Sequence, residues 1–155
     1  MKRTDTSEWP CTIAQSVNVL GDHWNLLIIR QACMGTRRFD DFQASLGIGR
    51  NILTGRLQLL IDEGLLTRTE YQPNPPRFEY RLTDKGRDVY PILAAMAAWG
   101  DKWLVGPEGS PLTLHHDSCG NDMHAVVGCS ECGQPLHVRA VKARPGPGYP
   151  RGERI

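Results

Sequence analysis

Two sets of residues have the types and spacing to do chemistry. Arg50, Asn51, Thr54 and Gln58 stand at i, i+1, i+4 and i+8, a spacing that gathers side chains on one face of a helix. Arg offers a pair of donors that matches a guanine edge, Asn a donor and an acceptor that match an adenine edge, and Thr can touch a thymine methyl or a phosphate. Gly49, just ahead, lets a backbone come close. Arg37, Arg38, Arg56 and Arg77 would then sit around that helix as phosphate or minor-groove contacts, which fix position without reading sequence. The second set is His116-x2-Cys119-Gly120 and Cys129-x2-Cys132-Gly133, two turns of the zinc-knuckle kind. In each, two ligands three apart aim at one point and the glycine turns backbone amides toward sulfur. His116, Cys119, Cys129 and Cys132 would close a tetrahedral, structural zinc site, with His115 or His124 as alternatives to His116. Reduced thiols on a metal-free hairpin are the competing reading.

The first set needs a helix held with one side bare. Phe39 to Leu46 carries apolar residues at 39, 42 and 46, which predicts a short amphipathic helix stopped by Gly47. Residues 48–63 predict a longer one, with Ile52, Leu53, Leu57, Leu60 and Ile61 on its inward stripe. After Gly64, residues 65–71 and 78–82 alternate as strands around a 73–77 tip that is too long for a two-residue turn. Helix, turn, helix and hairpin in that order are a winged helix-turn-helix. A solvated polar face on an ordinary surface helix is the bland alternative.

Residues 11–104 resemble the HxlR family of winged-helix transcription regulators, relatives of the MarR type. The resemblance is carried by Cys11 with Trp24 thirteen positions on, residues 20–24 (LGDHW), 26–30 (LLIIR), 38–42 (RFDDF), 52–57 (ILTGRL), 63–66 (EGLL) and 80–86 (YRLTDKG). It implies a homodimer on double-stranded DNA, the second helix of the motif in the major groove and the wing on the backbone or minor groove. Some members use the cysteine matching Cys11 as a redox or electrophile sensor, so the resemblance makes sensing one reading of Cys11, beside that of a small apolar residue at a helix start. Thr12 stands where Pro is usual, and Asp22-His23 where Gly-Lys is usual.

The remaining elements must complete that domain. Residues 11–20 predict a short helix bearing Ile13, Val17 and Leu20, and residues 24–34 a buried central helix with Trp24 and Cys33 in the core. Thr83-Asp84 caps a helix to about Leu104, broken near Val89-Tyr90 by Pro91. Val89, Ile92, Leu93, Met96, Trp99 and Trp103 give it more apolar surface than a small domain can cover, so a second subunit is expected there. A small-molecule or oxidant effector is a further expectation, with a pocket near Trp99 and Trp103.

The fold class is thus mainly α with a small β wing: a winged helix-turn-helix domain over 1–106, a zinc-ribbon-like hairpin over 107–137 and a flexible tail over 138–155, with 1–8 a frayed arm. Net charge, +1, is neutral evidence, with 13 basic and 12 acidic residues up to 106 and five of each beyond. No signal peptide or membrane-length apolar run appears, and five cysteines suit a reducing compartment, so a cytoplasmic protein is expected. No catalytic constellation appears. The rival readings are a thiol oxidoreductase on Cys129-x2-Cys132, which lacks the helix start such pairs occupy, and a protein-binding winged module with a zinc appendage.

Overall fold

The computed structural model describes residues 5–150. The chain divides after Tyr90 into two compact units. Residues 1–4 of the expected arm and 151–155 of the expected tail lie outside the described residues.

The first unit begins with a correction to the frayed arm. Thr6 Oγ1 donates to the Ala14 carbonyl at 2.8 Å and Asn18 Nδ2 donates to Asp5 Oδ1 at 3.1 Å, so residues 5–9 lie back on the first helix. That helix, α1 (Thr12–Leu20), has Cys11 as N-cap and leaves Ile13 exposed. Helix α2 (His23–Cys33) is capped by Asp22, whose Oδ1 accepts from the Trp24 amide at 2.9 Å. It is buried on one face rather than all round: Ile28 and Ile29 are fully covered, Trp24 is half-buried and Arg30 is exposed. Asn25 is fully buried within it and donates to the Val19 carbonyl at 2.7 Å, tying α2 to the end of α1.

Helix α3 (Phe39–Leu46) drives Phe42 into the core, edge-on to Tyr80 with ring centroids 6.4 Å apart. Gly47 ends it at φ 62°, a left-handed position where a side chain would be strained. Ile48 packs under the turn, so α4 starts at Arg50 rather than 48 and runs to Asp62. Leu53, Leu57 and Leu60 form its buried seam, while Ile61 is half-buried. Ile52, expected inside, is 48% exposed, because it lies about 100° round the helix from Leu53.

Strands β1 (Leu66–Pro73) and β2 (Pro76–Leu82) pair antiparallel from Leu66↔Leu82 out to Pro73↔Pro76, with a bulge at Tyr71. This overturns the long tip: only Asn74 and Pro75, joined by a cis peptide, lie between the strands. Prolines can occupy that last pair because a terminal pair needs no further ladder donor. The segment before α3 joins the sheet edge, with an Arg38↔Glu79 bridge and the Tyr80 amide donating to the Arg37 carbonyl at 2.8 Å. Thr83 caps the four-residue α5 (Asp84–Arg87) by accepting from the Gly86 amide, and donates to the Gly64 carbonyl at 2.6 Å. Gly86 is buried so closely that an added Cβ would collide with the Leu65 carbonyl oxygen.

The expected break falls at residues 88–89, and α6 (Tyr90–Trp103) follows with Pro91 in its first turn, where the missing N–H has no helical partner to lose. Ile92, Met96, Trp99 and Trp103 along it are 48–63% exposed. Beyond it, β3 (Leu114–His116) and β4 (Asn121–Met123) form a two-stranded hairpin. No helix among the described residues is long and apolar enough to cross a membrane.

Candidate nucleic-acid interface

The buried leucine seam of α4 turns its other side outward. Arg50, Asn51, Thr54 and Gln58 are all exposed there. Thr54 Oγ1 donates to the Arg50 carbonyl at 2.9 Å, which leaves its methyl and an oxygen lone pair outward. Gln58 Nε2 donates to Asp62 Oδ1 at 2.8 Å, which leaves its amide oxygen available. Arg50, on the flank nearest α3, has its guanidinium carbon 4.9 Å from the Phe39 ring centroid and Nη2 3.7 Å from Asp40 Oδ1. With side chains 66% and 78% exposed, that pair contributes about 0–1 kcal/mol, so Arg50 can leave Asp40 for a base at small cost.

The start of α4 is equally bare. Gly49 makes no side-chain cap and the first turn holds no acidic residue, so the unpaired amides and the positive end of the helix are open to phosphate. The φ of Gly49, −65°, suits any residue, and an added Cβ would meet only the Ile52 side chain at 3.9 Å. What the glycine supplies here is closeness of approach.

Between α3, α4 and the wing lies a concavity of about 450 Å³, lined by Arg38, Arg50, Tyr71 and Arg77 among others, with Asp40 and Asp41 also on its wall. Arg38, 57% exposed, stacks 4.9 Å from the Tyr71 ring centroid and stands 4.0 Å from Glu79. Arg37 and Arg77 are exposed, Arg77 within β2 rather than in a loop. Tyr71 and Arg68 were missed by sequence reasoning. The bulge gives Tyr71 its place beside Arg38, and no local signal announces a bulge; Arg68, 4.4 Å over the Phe78 ring, alternates like any strand residue.

Arg56 departs from expectation. Its Nη2 lies 2.7 Å from Asp22 Oδ2, with side chains only 30% and 18% exposed. In the free protein this pair braces α4 against the cap of α2, so Arg56 is already held by a carboxylate where the other expected contacts stand exposed.

The second candidate site appears as two separate turns. His116 Nδ1 and Cys119 Sγ are 3.3 Å apart at the tip of the β3–β4 hairpin, and Gly120, at φ 68°, donates its amide to the His116 carbonyl. Cys129, Cys132 and Gly133 repeat the pattern inside a Gly128↔Pro135 bridge, with Gly133 at φ 70° donating to the Cys129 carbonyl. Backbone amides of Cys132, then Glu131, hold the Cys129 thiol below its ordinary range. Within the expected 107–137 hairpin the strands flank the first turn, and residues 124–127 between the turns carry no regular structure. Among the described residues no three His, Cys, Asp or Glu side chains converge at metal-binding spacing. His115 is turned to Asp122, Nδ1 to Oδ1 2.9 Å.

Cys11 is exposed at the start of α1. Cys33 is half-buried at the end of α2 rather than in the core, and burial pushes its thiol up.

Residues 19–107 match the family described as HxlR-like helix-turn-helix. An uncharacterized HTH-type transcriptional regulator of Mycobacterium tuberculosis, Rv3095, is 39% identical over 138 residues, 89% of this chain and 87% of its own. The crystal structure of PA1607, a proposed transcription factor, superposes with a TM-score of 0.81 at 34% identity, covering 91% of this chain and 99% of the other. The redox regulator HypR in its reduced form gives a TM-score of 0.56 at 30% identity, over 59% of this chain and 92% of the other.

Proposed function

The chain belongs to the HxlR-like helix-turn-helix family, and from that premise we propose a DNA-binding transcription regulator, a cytoplasmic homodimeric repressor that reads a pseudo-palindromic operator rather than an enzyme. The observation that carries this reading is the bare side of α4, with Arg50 and Asn51 at its start, beside a wing that ends in Arg77. Inserted in the major groove, α4 would set Arg50 and Asn51 against base edges, with Thr54 and Gln58 further along. Its uncapped start and Gly49 would meet one phosphate strand, and Arg37, Arg38 and Arg77 the flanking backbone or minor groove.

Dimerisation rests on the exposed apolar residues of α6, which a second copy would cover. Reading a pseudo-palindrome requires the two-fold dimer to hold its two copies of α4 about 34 Å apart, or a multiple of that, on one face of the duplex. Control by an oxidant is supported by the exposed position of Cys11 at a helix start and by the likeness to a redox regulator. A small-molecule effector held near Trp99 and Trp103 belongs to the same reading, through their exposure alone.

The test is selection of bound sequences from random DNA by the purified protein, with and without oxidant. Arg50→Ala is expected to weaken binding to the selected operator by about 1–3 kcal/mol and to relax one base position. Unchanged binding would remove α4 from the groove. An oxidant response that survives Cys11→Ser would remove Cys11 from the sensor role.

A further inference from the structure

Residues 112–145 are folded without a core. Every side chain in this stretch is exposed except Leu114, Ala125 and Cys129, which are only half-covered, yet the chain makes two ordered hairpin turns. A segment of this size with no buried apolar surface ordinarily needs a covalent or metal staple. The cysteines here are free thiols.

The two turns are alike in detail. Each begins at a potential ligand, places a second one three residues on, and closes on a glycine in the left-handed region, Gly120 at 68° and Gly133 at 70°. In each the glycine amide returns to the carbonyl of the first ligand, at 2.9 Å for His116 and 2.8 Å for Cys129. A side chain would be strained at either glycine, so the residue type follows from the turn. With Zn–S of ~2.3 Å and Zn–N of ~2.0 Å, adjacent ligand atoms of a tetrahedral zinc stand ~3.5 Å apart. His116 Nδ1 and Cys119 Sγ, 3.3 Å apart, already stand close to that spacing.

We propose that His116, Cys119, Cys129 and Cys132 bind one zinc ion, each turn supplying two ligands, and that the ion holds this extension together. Among the described residues the two pairs do not converge, so the proposal requires the irregular stretch 124–127 between the turns to bring the second pair onto the first when the ion binds. Three thiolates and a neutral imidazole fill a tetrahedral shell and leave no open position, so the ion is structural. Binding releases the thiol protons. The site is independent of the DNA reading: none of its residues lies on α4 or the wing.

The experiment uses the full chain, grown with zinc, purified under reducing conditions and measured for metal content and native mass. About one zinc per chain is expected, retained in Cys11→Ser and Cys33→Ser and lost from Cys129→Ser and His116→Ala. Every described helix ends by Trp103, so an unchanged helical circular-dichroism signal distinguishes ligand loss from misfolding. Cobalt(II) added to the metal-stripped chain should give the thiolate charge-transfer and ligand-field bands of a tetrahedral site, and zinc should slow proteolysis beyond residue 106. A reduced protein that binds neither ion overturns the proposal. So does zinc that survives Cys129→Ser, and zinc that survives His116→Ala overturns the ligand set. Recovery of a Cys129–Cys132 disulfide with no zinc would assign the pair to thiol redox chemistry instead.

Discussion

Replacing Arg56 separates a brace from a DNA contact. The Arg56–Asp22 pair is 2.7 Å apart and mostly covered. Its gross attraction is about 6 kcal/mol at an effective dielectric of 20, and about 1.5 in bulk water. Desolvation of two largely covered charges cancels much of the larger figure. The loss on removing one partner should therefore be about 2 kcal/mol, between the ~0–1 of exposed pairs and the ~3–5 of buried ones. Asp22 has a second duty as cap of α2, worth about 1 kcal/mol, which Asn can perform and Ala cannot. Arg56→Met, which keeps the stem, and Asp22→Asn should then each cost about 2 kcal/mol, and Asp22→Ala about 3. The double variant Asp22→Asn with Arg56→Met should cost little more than either single change, because each removes the same interaction.

The assay is urea unfolding at fixed protein concentration, followed by operator titrations across a salt series. Arg56→Met should lower the midpoint and leave the salt slope alone. Arg77→Ala should leave the midpoint alone and reduce the slope by about 0.9 per subunit, the change expected when one phosphate is no longer neutralised. An unchanged midpoint for Arg56→Met together with a reduced slope would show that Arg56 leaves Asp22 for the duplex and that the brace is illusory.

Gly86→Ala should destabilise by about 1–3 kcal/mol or fail to fold, because the Leu65 carbonyl it strikes belongs to a backbone held at the foot of β1; thermal melting reads this directly. Trp99→Glu should turn dimer to monomer in sedimentation and weaken operator binding while leaving the helical signal intact; a dimer that persists would move the interface away from α6. Burial raises the Cys33 thiol above its ordinary 9.0, so the folded state holds this proton more tightly than the unfolded chain. The stability it supports is whole below about pH 9 and is lost as pH climbs toward the folded value, a fall that should shrink in Cys33→Ser. Iodoacetamide should accordingly label Cys11 well before Cys33.

What could be read from the chain alone depended on how local the cause was. The seam of Leu53, Leu57 and Leu60, the stop at Gly47 and the break ahead of Pro91 follow from periodicity and backbone chemistry, and all were legible. Ile52 was misplaced because a hydrophobic residue at the edge of a stripe is buried only if a neighbour reaches it, and that is a tertiary fact. The wing tip was misread because three prolines in four residues suggest an open loop, whereas the ladder tolerates prolines at its last pair. Tyr71 acquires its place through a bulge, set by the pairing of two strands rather than by either one. Asp22 carried a readable signal, a carboxylate directly before a helix start, but its reach to Arg56, thirty-four positions on, did not.

That reach explains how a helix can be both fixed and available. A reading helix must hold its angle to the duplex, yet the side chains that do the reading must be cheap to redirect. The leucine seam fixes α4 radially, and Arg56, 30% exposed, pins it to the cap of α2, which is itself anchored to α1 through Asn25. Arg50, six residues earlier on the same helix, has a carboxylate partner as well, but one 78% exposed and 3.7 Å away. Both are arginines facing aspartates; solvent access suits one to hold the frame, and under the proposed groove reading leaves the other cheap to redirect from its partner to a guanine edge. Residue type alone could not have divided them; the difference lies in how far each pair is covered.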